Sequence, residues 1–285
     1  MLSEDFLKHI SWIIDCKIQK VRPISGGDIA SAYLLETSTK KMFLKVHSNF
    51  ELLQAEAHAL NTIAKANCIA TPKIHAIENY ENNGFLVLEY IESKSPTASD
   101  FELFGRQLAA LHQATNEHFG FDQNNFIGSL PQSNNQHSNW LDFYTEERLN
   151  PQLQLALNKG LLSQKEIPTL DKLKTTCSEF FTNIKPSLLH GDLWSGNFLI
   201  STDGIPYLID PSTYFGHAEV DIAMCKLFGG FGSSFYESYH KVIPQDQFTS
   251  TRIELYQLYY LLVHLNLFGR SYYSSVVTTL KNNFD

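Results

Sequence analysis

The 285-residue sequence holds only four cysteines, Cys16, Cys68, Cys177 and Cys225, and no two form a CxxC pair. That spacing gives neither a zinc knuckle nor a disulfide framework, and it fits a reducing compartment. Positive charge is scarce as well. Lys and Arg number 22 against 30 Asp and Glu, a formal charge of −8, and no basic run occurs. A nucleic-acid partner is therefore not expected, whereas a cationic substrate would be tolerated. Long apolar runs are missing too. The longest late one, 255–269, is interrupted by Gln257, His264 and Asn266 and is too short to span a bilayer. The opening MLSEDFLKHISWIID carries Glu4 and Asp5 ahead of any apolar stretch, unlike a secretory leader. Pro and Gly together make only 25 residues and apolar residues 43%, which excludes disordered and collagen-like chains. The expectation is a cytoplasmic globular chain with no membrane partner, built as one large domain or two lobes.

The apolar spacing divides the chain. Residues 3–15 put Phe6, Ile10, Ile13 and Ile14 on one helical face behind Ser3, and 50–65 return to that spacing. Between and after them lie short alternating runs, IQKVRPI, AYLLET, KMFLKV, Ile74–Ile77 and Phe85–Ile91, which read as strands. Residues 1–92 thus form a small sheet lobe ending in a connector. Residues 93–285 form a larger, mainly helical lobe, with helices expected at 99–114, 139–158, 163–183, 217–228 and 250–283, the last broken near Gly269. A short β insert covers Leu188–His190, Phe198–Ser201 and Tyr207–Ile209, with Asp203-Gly204 as its turn. Residues 116–138, rich in Asn, Gln and Ser, read as one long irregular loop of the kind that serves as a lid. The fold class is α+β.

The densest chemistry is His190-Gly191-Asp192-Leu193-Trp194-Ser195-Gly196-Asn197, followed by Ile209-Asp210-Pro211. Phosphoryl transfer needs a carboxylate to take the acceptor hydroxyl's proton and oxygen ligands for Mg²⁺. Asp192 suits the first task; Asn197 and Asp210 suit the second. Upstream, Gly26 and Gly27 join two strands where backbone N–H groups can lie over a triphosphate. Lys45 sits in a strand with apolar neighbours and Glu56 on the following helix, an order that suits phosphate contact by a lysine steadied by a glutamate. Glu89, Tyr90 and Ile91 run into the connector and can offer backbone groups to an adenine edge. Asp221, at a helix start, is expected to support the loop backbone, and His190 to organise it.

These spacings match the catalytic loop and metal-binding aspartate of the protein-kinase-like superfamily, with HGD where protein kinases have HRD. The chain further resembles the fructosamine kinase (ketosamine 3-kinase) family. The resemblance is carried by ISGGDIASAYLLET (24–37), NFIGSLPQ (125–132), WLDFYTEERLNPQLQLA (140–156), LLHGDLWSGNFL (188–199) and PYLIDPSTYFGHAEVDIAMCKLFGGF (206–231). It implies a bilobal kinase-like fold and ATP- and Mg²⁺-dependent phosphorylation of the sugar 3-hydroxyl of ketosamines, free or on glycated lysines, which releases the amine and repairs the protein. The roles above carry over on matching positions. Some relatives carry a cysteine in the glycine loop, where this chain has Asp28, so a redox-linked dimer contact is not expected. For the cationic acceptor, Trp194 is the first candidate, with Trp140, Asp142, Arg148 and His217 behind it. Two other readings stay open: a small-molecule kinase of the aminoglycoside phosphotransferase type, and a nucleotide-binding pseudokinase scaffold.

Overall fold

The computed structural model describes residues 2–24 and 30–284. In chain order they form α1 (Glu4–Ile13), β1 (Ile18–Pro23), β2 (Ser31–Thr37), β3 (Lys41–His47), α2 (Phe50–Ala66), β4 (Ile74–Tyr80), β5 (Asn83–Glu89) and β6 (Ser93–Lys94). There follow α3 (Ala98–His112), β7 (Asn125–Ile127), β8 (Leu130–Gln132), α4 (Trp140–Phe143), α5 (Asn150–Asn158), α6 (Leu170–Ser178), β9 (Ser187–Leu188), β10 (Phe198–Ser201), β11 (Pro206–Leu208) and β12 (Phe215–Gly216). The chain closes with α7 (Glu219–Phe228), α8 (Ser233–Val242), α9 (Thr249–Phe268) and α10 (Tyr273–Phe284).

The first five strands make one antiparallel sheet in the order β1-β2-β3-β5-β4. Strand alternation assigns its two faces. Met42, Leu44 and Val46 of β3 and Phe85 and Val87 of β5 pack with Phe6 and Ile10 of α1. Leu86 and Leu88 turn the other way, onto Leu53, Ala57 and Leu60 of α2. Lys45, at an odd position of β3, therefore faces α2. Ser3 caps α1 by accepting the Phe6 N–H (3.2 Å), and Asn49 caps α2 through the Glu51 N–H (3.1 Å).

The second part is helical around α9, of whose 20 residues 13 are buried. A helix apolar all round belongs inside a core rather than on its surface. Thr97 and Asp100 form a capping box that starts α3. The small sheet β11-β10-β6 ties the two parts, because β6, just past the connector, pairs with β10. Phe104 of α3, Phe198 of β10, and Phe231 and Phe235 form an aromatic cluster with centroids 4.8–6.0 Å apart along its closest pairs. Phe198 directly follows Asn197, so this cluster anchors one end of the HGD loop.

Several elements depart from the sequence reading. The expected helix 139–158 is three pieces, with a π-helical turn over Tyr144–Leu149 between α4 and α5. Pro151 has no N–H to continue the ladder, and the Glu147 carbonyl instead accepts from the buried Arg148 guanidinium (3.0 Å). The span 163–183 narrows to α6, because Pro168 and the Thr169 cap fix its start. Helix α8 was not expected; glycines at 229, 230 and 232 and an aromatic-rich face hide its period. Residues 116–138 are not a free loop. Phe119, Phe121 and Ile127 are buried, β7 and β8 form a hairpin, and Gly120 pairs with Phe215. Side-chain amides supply most of the bonding there, which an apolar pattern does not report.

Phe104→Ala should cost about 3–5 kcal/mol by leaving a cavity in the aromatic cluster. Urea denaturation followed by far-UV circular dichroism measures this, and a loss under 1 kcal/mol would mean the cluster collapses around the gap.

Candidate functional site

The backbone of the HGD loop is organised by a buried carboxylate. Asp221 of α7, with no exposed surface, accepts the His190 N–H on Oδ2 and the Gly191 N–H on Oδ1, both at 2.8 Å. His112 Nε2 of α3 lies 3.1 Å from the same Oδ2, and its Nδ1 is 2.8 Å from the Tyr239 hydroxyl of α8. Burial pushes the Asp221 carboxyl up, but His112 and the loop N–H groups outweigh it and hold the carboxyl below its usual range. On the following peptide, the Tyr260 hydroxyl donates to the Gly191 carbonyl (2.9 Å). Gly191 has φ +84°, and a Cβ there would stand 2.1 Å from the Ser212 carbonyl oxygen. No other residue fits this crossing of two backbones.

His190 is fully buried. Its Nδ1 accepts the Asp192 N–H (3.2 Å), so Nε2 carries the proton and donates to the Ile209 carbonyl (2.9 Å). Burial lowers its pKa, keeping the ring neutral as a loop organiser. Asp192 and Asn197 meet directly: the Asn197 amide donates to the Asp192 carbonyl (2.8 Å) and to its Oδ2 (3.1 Å). With both amide protons used, Asn197 Oδ1 accepts no hydrogen bond among the described residues. The Ile209 N–H donates to the Asn197 carbonyl (3.1 Å), which sets Asp210 beside Asn197. Asp210 itself takes a left-handed φ of +54°.

Lys45 links the two parts. Its Nζ is 2.8 Å from Glu56 Oε1 on α2 and also bonds Asp210 Oδ1. The connector at Glu89–Ile91 leaves β5 directly, its first residue fixed by the Lys73 carbonyl, 2.8 Å from the Glu89 N–H. Gly26 and Gly27, read as a phosphate-covering loop, and Asp28 lie outside the described residues.

The acceptor candidates separate. Trp194 stands in the loop itself, 38% exposed, with its ring folded over Gly196, where a Cβ would come within 2.5 Å of it. Trp140 is instead buried, donating to the Tyr256 hydroxyl (2.9 Å), and Arg148 has no exposed surface. Their sequence assignment to substrate contact is corrected: both are core residues. Arg148 stacks on Tyr214 and Phe143, 4.0 and 4.6 Å from the ring centroids, and donates to the Ser133 carbonyl and Asn134 Oδ1, each at 2.6 Å. Asp142 is occupied by Lys174 of α6 (2.5 Å), which lowers its pKa. His217 Nδ1 lies 2.8 Å from the Tyr256 hydroxyl, and burial lowers its pKa to about 4, leaving it uncharged. An aromatic or basic residue near a glycine-rich loop has the same letters whether it lines a cleft or fills a core.

Sequence reasoning missed the loop's other supports. His112 read as an ordinary histidine, and Tyr239 and Tyr260 drew no attention. Asn125 donates to the Thr213 carbonyl (2.9 Å) and Gln132 to the Ser212 carbonyl (3.5 Å), so the hairpin of residues 125–132 holds the stretch just after Asp210. Only spatial proximity reveals these roles.

A two-part α+β chain, with a lysine–glutamate pair facing an HGD loop and a following aspartate, is a kinase of the protein-kinase-like fold. Solved structures carry the same architecture: an aminoglycoside phosphotransferase described in ternary complex with AMP-PNP and hygromycin B superposes with a TM-score of 0.64 at 15% identity, covering 97% of this chain and 99% of that one. A family model described as fructosamine kinase matches residues 7–285, and the chain belongs to that family. It is 38% identical to a probable ketoamine kinase of Synechocystis, over 93% of this chain and 90% of the relative. It is 35% identical to a chloroplastic protein-ribulosamine 3-kinase of Arabidopsis thaliana, over 98% and 87%. A putative fructosamine-3-kinase structure from Haemophilus somnus matches with a TM-score of 0.88 at 28% identity and 97% coverage of both chains.

Asp221→Asn should keep one acceptor and turn an amide against a loop N–H, costing about 3 kcal/mol and lowering kcat more than it raises KM for nucleotide. Denaturant melts beside steady-state kinetics check both, and unchanged kcat would remove Asp221 from loop support.

Proposed function

We propose that this chain transfers the γ-phosphoryl group of ATP to the sugar 3-hydroxyl of ketosamines, small or carried on glycated lysines of proteins. The observation that carries the reading is the direct contact of Asp192 with Asn197, backbone-tied to Asp210, in a chain whose relatives are named ketoamine and ribulosamine kinases. Asp192 takes the hydroxyl proton as the new O–P bond forms and the γ-phosphoryl bond to ADP breaks. The Asn197 amide holds Asp192 Oδ2, which aims the other carboxylate oxygen at the acceptor. Lys45, steadied by Glu56, binds phosphate oxygens, and the Glu89–Ile91 backbone meets the adenine edge. Trp194 offers its exposed face to the cationic secondary amine of the ketosamine. The aminoglycoside reading has the fold in its favour and nothing in the acceptor region.

Asn197 Oδ1 and the Asp210 carboxylate are hard oxygen donors of the kind that would hold Mg²⁺. When bound, that ion neutralises charge on the transferring phosphoryl group. Phosphorylation at O3 destabilises the adduct and returns the free amine, a deglycation repair. The four cysteines carry no disulfide, and none of the described helices is long and apolar enough to cross a membrane. Both fit work in the cytoplasm.

Asp192→Asn should lower turnover by roughly 10²- to 10⁴-fold while ATP still binds, read by a coupled ADP assay and by calorimetry. Near-normal turnover would discard the base assignment.

Burial raises the Asp192 carboxyl to about 7, against the pull of the Asn197 hydrogen bond. The base form then exists above that pH, so kcat/KM should fall as pH drops through about 7, approaching tenfold per unit. The same raised pKa makes ionisation a cost to folding that begins above the ordinary carboxylate range and is complete above about 7. Asp192→Asn should therefore melt higher than the parent at pH 8 and no higher at pH 4. A flat rate profile from pH 8 to 5.5 would contradict this.

A further inference from the structure

Two adjoining cavities, of about 350 and about 600 Å³, share Gln123 and Asn124 and form one groove along the flank of the catalytic cleft. One wall of the larger cavity is α2, through Glu51, Gln54, Ala55 and His58. Ala55 is the immediate neighbour of Glu56, which holds Lys45. The other wall is the stretch 123–131, whose Asn125 is bonded to the Thr213 carbonyl three residues past Asp210. A ligand in this groove lies beside the reacting groups without occupying them.

The lining has a definite chemistry. Gln54, Gln123 and Gln136 are exposed and their side-chain amides make no hydrogen bond among the described residues. Each such amide offers a donor and an acceptor side by side, the pattern a peptide bond presents in reverse. Phe126, Pro131 and Ala55 add an apolar strip, Glu51 contributes negative charge, and Asp122 is bonded to His58 (2.9 Å). Among the described residues neither cavity is lined by Lys or Arg.

We propose that this groove is the polypeptide-binding surface of the enzyme, taking the extended main chain that flanks a ketosamine-bearing lysine. The inference rests on the ketosamine-kinase reading and specifies where a protein-borne acceptor sits. A free ketosamine amino acid brings a charged α-ammonium and α-carboxylate, whose lost hydration neutral amides replace poorly. The same lysine inside a chain brings neutral amides, which pair with the unpartnered glutamines. Discrimination therefore comes from the cost of desolvating those two charges as much as from attraction of the peptide.

The test compares kcat/KM for ribulosyl-lysine with that for a ribulosylated Gly-Gly-Lys-Gly-Gly peptide, N-acetylated and C-amidated. The parent enzyme should favour the peptide by about tenfold or more, since each groove hydrogen bond is worth a few-fold. The exposed double variant Gln54→Ala/Gln123→Ala should lose most of that preference, with kcat/KM for ribulosyl-lysine unchanged. Gln123→Lys should raise activity on the free amino acid. Equal activity of the parent on both substrates, or a preference untouched by the variants, overturns the groove while leaving the kinase reading intact. No transfer to either substrate overturns both.

Discussion

One buried carboxylate holds the HGD loop of this molecule in shape. Asp221 spends both oxygens on the N–H groups of His190 and Gly191 and closes its charge against His112. An ionised carboxylate without exposure is costly unless so bonded. The partners come from elements far apart in sequence: α3 supplies His112, α8 supplies Tyr239, and α9 supplies Tyr260, which holds the Gly191 carbonyl. The helical part is thus a scaffold whose product is the conformation of three consecutive peptide units. From that fixed point the loop runs through Asp192 to Asn197, whose carbonyl sets the next strand and Asp210.

Much of this was legible in the sequence because the informative residues are close together or periodic. Lys45 stands among apolar strand neighbours and Glu56 on the next helix, and that order along the chain was enough to pair them. The interval from Asp192 to Asn197 is one turn of chain, so local geometry largely sets their contact. What stayed hidden is non-local. Trp140 and Arg148 carry the residue types of a binding site, yet they are packed among Tyr144, Tyr214 and Tyr256 in the core. His112 gained its role only by folding 109 residues away from Asp221. The π-helical turn at Tyr144–Leu149 left no period to read.

Arg148 illustrates how such a core tolerates charge. No carboxylate is paired with it among the described residues; carbonyl oxygens, an amide oxygen and aromatic faces surround the guanidinium instead. Delocalised charge and weak hydration make arginine suited to this surrounding. Its contacts fasten residues 133–134 to the π-helical turn and, through Tyr214, to the segment after Asp210. The cation works as a rivet between the hairpin segment and the catalytic floor.

The bonding of that hairpin segment depends on groups that must stay donors. Asn125, Gln132 and Asn134 each direct an NH₂ group at an oxygen, those of Thr213, Ser212 and Gln123 among them. Deamidation would replace that donor by an anionic oxygen facing another oxygen, turning attraction into repulsion inside a buried network. The shape of the segment, and of the floor beneath Asp210, thus rests on the chemical integrity of a few carboxamides.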